Sequence, residues 1–271
     1  MKTIESHYHQ EGLFEDILQR LKEVEPDTAN LTREHVAGVD EFHVRGAAVS
    51  KELAESINLK NARVLDVGCG LGGPCRMLAE EHHCITTGVD ISREFIRTAS
   101  GLSNLLGMEK QTTFMQADAL ELPFEDNTFD AVWTQHVQMN ISDKKKFYSE
   151  IRRVLKTGGF FLYYDIFKSE NGSVTFPVPW AETIEQSFLV TPDDMGEVLD
   201  SLDMKVIEKK DQTIAGIDFF DMVLKKMKEQ GPPKIGLNVL MGESTKPKLM
   251  NLYNHLQHGD LVLQSGVYQK V

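Results

Sequence analysis

Arg63-Val64-Leu65-Asp66-Val67-Gly68-Cys69-Gly70-Leu71-Gly72-Gly73-Pro74 is the stretch that decides the fold class. Val64, Leu65 and Val67 read as a buried strand. Gly68, Gly70, Gly72 and Gly73 permit a tight turn and a close approach of a ligand to the backbone. From Cys75 to Glu81 the pattern becomes helical, so the free N–H groups at its start can face a polar or anionic group. The spacing Gly68-x-Gly70-x-x-Gly73 also fits the dinucleotide pattern G-x-G-x-x-G. A glycine-rich structural turn without a ligand is the competing reading.

The chain downstream adds to the first. His83 to Asp90 forms a second strand candidate that ends in an acid, at the distance where a βαβ nucleotide site places a ribose-binding carboxylate. A helix is expected from Arg93 to Leu106 and ends near Gly107. Thr113 to Ala119 is the third strand and its exit, and Asp118 is another carboxylate at the same edge. A turn-rich approach leads to a fourth strand over Ala131–Thr134, from which Gln135 to Ile141 emerge. Asp143 to Leu155 is a helix, Lys156-Thr-Gly-Gly159 punctuates, and Phe160 to Asp165 is the fifth strand. This alternation predicts a doubly wound, mostly parallel sheet. Thr191-Pro192-Asp193-Asp194 starts a further helix. Met204–Lys209 reads as a strand, Phe219–Gln230 and Thr245–Leu256 as helices, and Leu261–Tyr268 as a last strand.

Upstream of the first strand, residues 1–30 carry a helical pattern through Leu13, Phe14, Ile17, Leu18 and Leu21, broken at Pro26. Residues 31–46 mix aromatics, histidines and Arg45 in an expected turn, and Ala48–Ile57 reads as a helix. Two readings stand side by side: a helical layer over a sheet edge, or a lid that faces Phe42, His43 and Arg45 toward a ligand.

With 271 residues the chain has ample length for a core domain with additions. Its formal charge of −12 argues against a nucleic-acid partner. Cys69, Cys75 and Cys84 crowd the glycine turn without a spaced ligand set, so neither a disulfide framework nor a metal is expected, and a reducing, cytoplasmic setting is. Neither a signal peptide nor a membrane span is expected.

The ordered set Val64-Leu-Asp-Val-Gly-Cys-Gly70, Val89-Asp90, Gln116-Ala-Asp-Ala119, Leu122-Pro-Phe-Glu-Asp-Asn-Thr-Phe-Asp-Ala-Val-Trp133 and Arg153-Val-Leu-Lys-Thr-Gly-Gly159 resembles class I S-adenosylmethionine-dependent methyltransferases. Phe42-His43-Val44-Arg45-Gly46 looks like the N-terminal segment of sarcosine/dimethylglycine-type small-molecule methyltransferases. The resemblance implies an α/β fold with a doubly wound, mostly parallel seven-stranded sheet and an antiparallel last strand. It also implies an N-terminal helical lid over residues 1–50 and a core over residues 51–271 with inserts near 166–191 and 212–258. The implied cofactor is S-adenosylmethionine and the implied partner a small-molecule acceptor; monomer and homodimer both stay open. By the same resemblance Gly68 and Gly70 line the methionine and ribose region, and Asp66 supports the turn. Asp90 holds the ribose hydroxyls, Ile91 packs on adenine, and Asp118 and Ala119 face its edge. Arg45 pairs with the cofactor carboxylate. Gln135 and His136 lie near the methionine portion or the acceptor.

His136 is the first candidate for a general base and His43 the second; a pocket histidine that only holds geometry is the rival for His136. Related enzymes often place a histidine where this chain has Met139-Asn140, and Asn140 can orient a polar acceptor but is no ordinary base. Tyr164 and Trp180 offer an aromatic wall for an amine or a flat ring, with core packing as the alternative for Tyr164. Tyr8 is a further group that could approach from the N-terminal segment. A noncatalytic nucleoside-binding protein and a nicotinamide-dependent oxidoreductase are the alternative functions.

Overall fold

Val64, Leu65 and Val67 are fully buried in β1 (Arg63–Val67), as an unbroken apolar run in a strand covered on both faces requires. The computed structural model describes residues 12–231 and 233–271, so Tyr8 lies outside the described residues. The further strands are β2 (Ile85–Asp90), β3 (Thr112–Gln116), β4 (Phe129–Gln135), β5 (Leu155–Lys168), β6 (Met204–Asp211) and β7 (Leu261–Lys270). Among the described residues they form a seven-stranded sheet in the order β3-β2-β1-β4-β5-β7-β6. β2 pairs parallel with β1 and β3, β4 pairs parallel with β5, and β7 is antiparallel to β5 and β6. The expected mostly parallel sheet with an antiparallel last strand is the observed one. The chain divides into two compact units, Met1–Ala119 with Pro233–Gly242, and Leu120–Pro232 with Glu243–Val271.

In the first unit α1 (Leu13–Val24) buries Leu13, Ile17 and Leu21, one helical face at spacings of four. Its start is capped from elsewhere in the unit: Leu13 N–H donates to Glu94 Oε1 at 3.0 Å, from α5 (Arg93–Leu105). Residues 31–46 differ from the expected turn. Arg33–Asp40 is a helix, α2, begun where Thr32 N–H donates to His35 Nδ1 at 3.0 Å, and only Glu41–Gly46 turns. Val36 and Val39 of α2 join Leu31, Leu71, Phe95, Leu102, Ile235 and Val239 in one apolar cluster with the α1 face. Burial of that face outweighs the mixed local composition of the segment. α3 (Ala47–Ala54) and α4 (Gly73–His82) are the further helices of this stretch.

In the second unit α6 (Lys144–Val154) buries Phe147, Ile151 and Val154, and Asp143 caps it by accepting from Lys146 N–H at 2.9 Å. The expected break at Lys156–Gly159 is instead a bulge inside β5: Leu155 pairs with Phe129 but Phe160 with Ala131. Gly158 takes φ +78°, and a Cβ on Gly159 would meet two carbonyls within 3 Å, so both glycines serve the bulge. α7 (Pro192–Asp200), α8 (Thr213–Gln230), α9 (Asn238–Met241, in the first unit) and α10 (Thr245–His258) follow.

Candidate functional site

β1 ends at Val67, and from Gly68 the chain turns back over the end of β2. Gly68 and Cys69 N–H both donate to Val89 O, at 2.8 and 3.0 Å. Gly68, Gly70 and Gly72 take φ of +76°, +52° and +81°, which an L side chain rarely tolerates. The glycines divide the work. A Cβ on Gly70 would meet nothing within 4 Å, so open space lies beside it. A Cβ on Gly72 would sit 2.6 Å from the Phe114 ring and one on Gly73 2.4 Å from Asp40 O. Gly70 thus borders open space, whereas Gly72 and Gly73 are glycines because of neighbouring protein.

Asp90, the last residue of β2, is tied to this turn. Its Oδ2 accepts Gly70 N–H at 3.1 Å and its Oδ1 accepts Ser92 N–H at 2.8 Å. A carboxylate has about four lone-pair sites, so acceptor capacity is left on both oxygens. Burial pushes the Asp90 pKa up to about 6 against the pull of the Ser92, Gly70 and Ile91 N–H groups. Asp66, buried in β1, accepts the Cys75 thiol at 3.4 Å from α4. Burial raises its pKa to about 7, opposed by the thiol and reinforced by the charges of Glu41 and Asp90. Ile91 is 37% exposed and its carbonyl accepts Gln116 Nε2–H at 2.9 Å. Asp118 is exposed and Ala119 half-buried just past β3. Gly68, Gly70, Asp66, Asp90, Ile91, Asp118 and Ala119 all belong to the first unit, at the C-terminal ends of β1, β2 and β3, the end of an open parallel sheet where ligands gather.

The lid residues are placed on the turn after α2. His43 is buried, with Nε2 at 3.1 Å from Ser50 Oγ and 3.2 Å from Glu41 Oε2. Arg45, at φ +71°, pairs with Glu52 at 2.9 Å.

In the second unit the segment after β4 is fixed as firmly. His136 takes φ +54°, donates its backbone N–H to Tyr164 O at 2.9 Å, and holds its ring 5.1 Å from that of Tyr164. Asp165, next to Tyr164 in β5, accepts Val137 and Gln138 N–H at 3.3 and 3.1 Å and Ile166 N–H at 3.0 Å. Burial pushes its pKa up to about 7, against those three N–H groups. Lys144 donates to the carbonyls of Gln138, Ile141 and Phe188, the last at 2.7 Å, and burial brings its pKa down to about 8, against the attraction of Asp165. Asn140 Nδ2–H reaches Trp180 O at 3.0 Å, and Trp180 Nε1–H reaches Ser187 Oγ at 2.9 Å. Gln135 accepts Trp133 Nε1–H at 2.8 Å. Tyr164 is fully buried and Trp180 nearly so.

Sequence reasoning missed Asp40, Arg76, Glu41, Ser50 and Lys144. Asp165 carried a legible signal: like Asp66 and Asp90, it is an acid in or just past the apolar run of its strand. Among the described residues no group of three or more His, Cys, Asp or Glu side chains could hold a metal, and the three cysteines are free and buried.

Residues 65–163 match the family model of a methyltransferase domain. Over 114 residues the chain is 39% identical to a sterol 24-C-methyltransferase of Gibberella zeae, covering 42% of this chain and 30% of that protein. Over 107 residues it is 36% identical to the ajmaline N-methyltransferase of Rauvolfia serpentina, covering 40% and 37%. The chain thus spans about a third of the length of these relatives. A solved structure of a putative sarcosine dimethylglycine methyltransferase from Galdieria sulphuraria superposes with a TM-score of 0.69 at 19% identity, over 87% of this chain and 96% of that one.

Proposed function

We propose that the chain, whose residues 65–163 match a methyltransferase domain, is a class I, S-adenosylmethionine-dependent methyltransferase of a small-molecule acceptor. The observation that carries the reading is Asp90: a carboxylate fixed to the glycine turn by Gly70 N–H, with lone pairs left for a pair of ribose hydroxyls. The open space beside Gly70 supports the same assignment. In this reading Gly68 and Gly70 line the methionine and ribose region, while Asp66 steadies the turn through Cys75. Ile91 offers an apolar face to adenine, Asp118 and Ala119 its polar edge, and Arg45 a partner for the amino-acid carboxylate.

S-adenosylmethionine supplies a methyl group already activated on a sulfonium. What remains for the protein is in-line positioning and exclusion of water. A base is required only for an acceptor that arrives protonated. His136 is proposed for that task, held by its backbone bond to Tyr164 O; His43, with Nε2 against Glu41 and Ser50, ranks behind it. Asn140, Tyr164, Trp180 and Gln135 are proposed to shape the acceptor side.

Incubating the full chain with methyl-labelled donor and a broad metabolite panel tests the function; donor binding without label transfer to any compound would favour a noncatalytic nucleoside-binding protein. On the acceptor so found, His136→Asn is the informative variant, because asparagine tolerates the left-handed backbone that His136 adopts. Turnover should fall by about 10²–10⁴ with donor affinity intact, the usual worth of a positioned base. An unchanged rate and pH profile would remove His136 from the chemistry.

A further inference from the structure

Arg76 is completely buried in α4; its Nε has no hydrogen-bond partner, and both of its Nη groups are bonded. Its Nη2 donates to Asp40 Oδ2 at 2.6 Å and to Leu71 O at 2.5 Å. Its Nη1 donates to Ala99 O at 3.3 Å and Ser103 Oγ at 3.2 Å. Leu71 lies inside the glycine turn, Asp40 is the last residue of α2, and Ala99 and Ser103 are on α5. One side chain therefore ties the turn to two helices of the same unit.

Asp40 is anchored a second way. A Cβ on Gly73 would lie 2.4 Å from Asp40 O, so the end of α2 packs on the start of α4 at a distance only glycine allows. From this anchor the chain passes straight into the turn 41–46, which is wired internally. His43 N–H donates to Glu41 O at 2.9 Å, Gly46 N–H to His43 O at 3.1 Å, and Ser50 Oγ–H to Glu41 Oε2 at 3.0 Å. Arg45 holds φ +71°, which a residue with a side chain keeps only where its surroundings fix it, and Gly46 follows at φ +50°. Glu41 is close enough to Asp66 for its charge to act on that acid at the end of β1.

We propose that Asp40 and Arg76 are positioning residues for the amino-acid end of the donor: the pair holds the turn 41–46, and with it Arg45, against the glycine turn. The inference rests on the donor reading above and adds to it. The segment 33–46 is then a fixed wall of the donor site, set before any ligand arrives, in place of a loose lid.

Two ligands separate positioning from general damage. S-adenosylhomocysteine carries the amino-acid end, and 5′-methylthioadenosine lacks it. Calorimetric titration of the full chain with both should show Arg76→Met and Gly73→Ala weakening S-adenosylhomocysteine by about tenfold or more, about 1.4 kcal/mol, while 5′-methylthioadenosine changes less than about twofold. Asp40→Asn, which keeps shape and removes charge, should shift the same ligand in the same direction by less. Gly73→Ala keeps both charged groups and displaces Asp40, whose carbonyl O and carboxyl carbon a Cβ there would meet at 2.4 and 3.1 Å, so it decides the matter if Arg76→Met does not fold. Equal losses for both ligands would mean a merely structural pair and overturn the proposal, as would unchanged affinity for both. If the wild-type chain bound neither ligand, the donor reading itself would fail and this inference with it.

Discussion

Asp90 carries two opposed tendencies that titration separates. Burial holds its pKa near 6, above the ordinary value of 3.8, so the folded state binds this proton more tightly than the unfolded chain does. Protonation of Asp90 therefore favours the free fold at low pH, and that contribution is lost as pH rises through about 6. Acceptance of ribose hydroxyls has the opposite sign, because the protonated acid has given up acceptor capacity. Donor affinity should fall by up to about tenfold per pH unit below about 6, the limit for one linked proton. In Asp90→Asn, affinity should be low throughout and nearly flat between pH 5 and 7. Calorimetry across that range checks both; a wild-type affinity flat down to pH 5 would remove Asp90 from the donor contact. Asp90 was legible in the sequence because it lies at a fixed distance from a glycine turn on adjacent strands. Arg76 was not, since a helix arginine is ordinarily solvated, and its partner Asp40 lies 36 positions away.

At the scale of elements, what was readable was local chemistry. Thr191-Pro192-Asp193-Asp194 announces a helix, and α7 begins there with both halves of a capping box: Asp194 N–H donates to Thr191 Oγ1 at 3.1 Å and Thr191 N–H to Asp194 Oδ2 at 2.8 Å. The Thr191 backbone N–H first and its side-chain hydroxyl second hold the Asp194 carboxyl below its usual range. α2 gave no such signal, because a histidine stands at the position where the box expects Glu or Gln, and the segment is helical through burial of Val36 and Val39. Nor did spacing foretell the segment after β4, whose carbonyls converge on Lys144 and whose N–H groups converge on Asp165. That arrangement exists only once β5, α6 and the 166–191 insert are packed together. The local case makes the cleaner stability prediction. Thr191→Ala should cost about 1 kcal/mol, read as a lower urea midpoint at unchanged slope, while Thr191→Ser should restore most of it. No change in midpoint would mean that the exit of the insert is held without its cap.

For the whole molecule, the alternation of strand and helix patterns fixed the class of sheet, and the departures fell where tertiary contacts decide: the bulge at Gly158 and Gly159, and the helix α2 over Arg33–Asp40. The charge of −12 is a property of the entire chain, and its effect is separable from that of the buried acids near the glycine turn. At neutral pH S-adenosylmethionine carries a net positive charge, whereas S-adenosylhomocysteine, having lost the sulfonium, is a neutral zwitterion. An anionic protein draws the first toward itself through long-range attraction, which salt screens as the Debye length shrinks from about 30 Å at 0.01 M to about 3 Å at 1 M. Attraction from the charged forms of the buried Glu41 and Asp66 and the half-buried Asp90 is screened far less. Raising sodium chloride from about 0.02 to about 0.5 M should therefore weaken S-adenosylmethionine about two- to threefold relative to S-adenosylhomocysteine, chiefly through a slower association rate. Stopped-flow binding of the two ligands across that range reads the effect directly. A ratio that does not move with salt would assign donor discrimination to the buried carboxylates alone and leave the surface charge with no part in it.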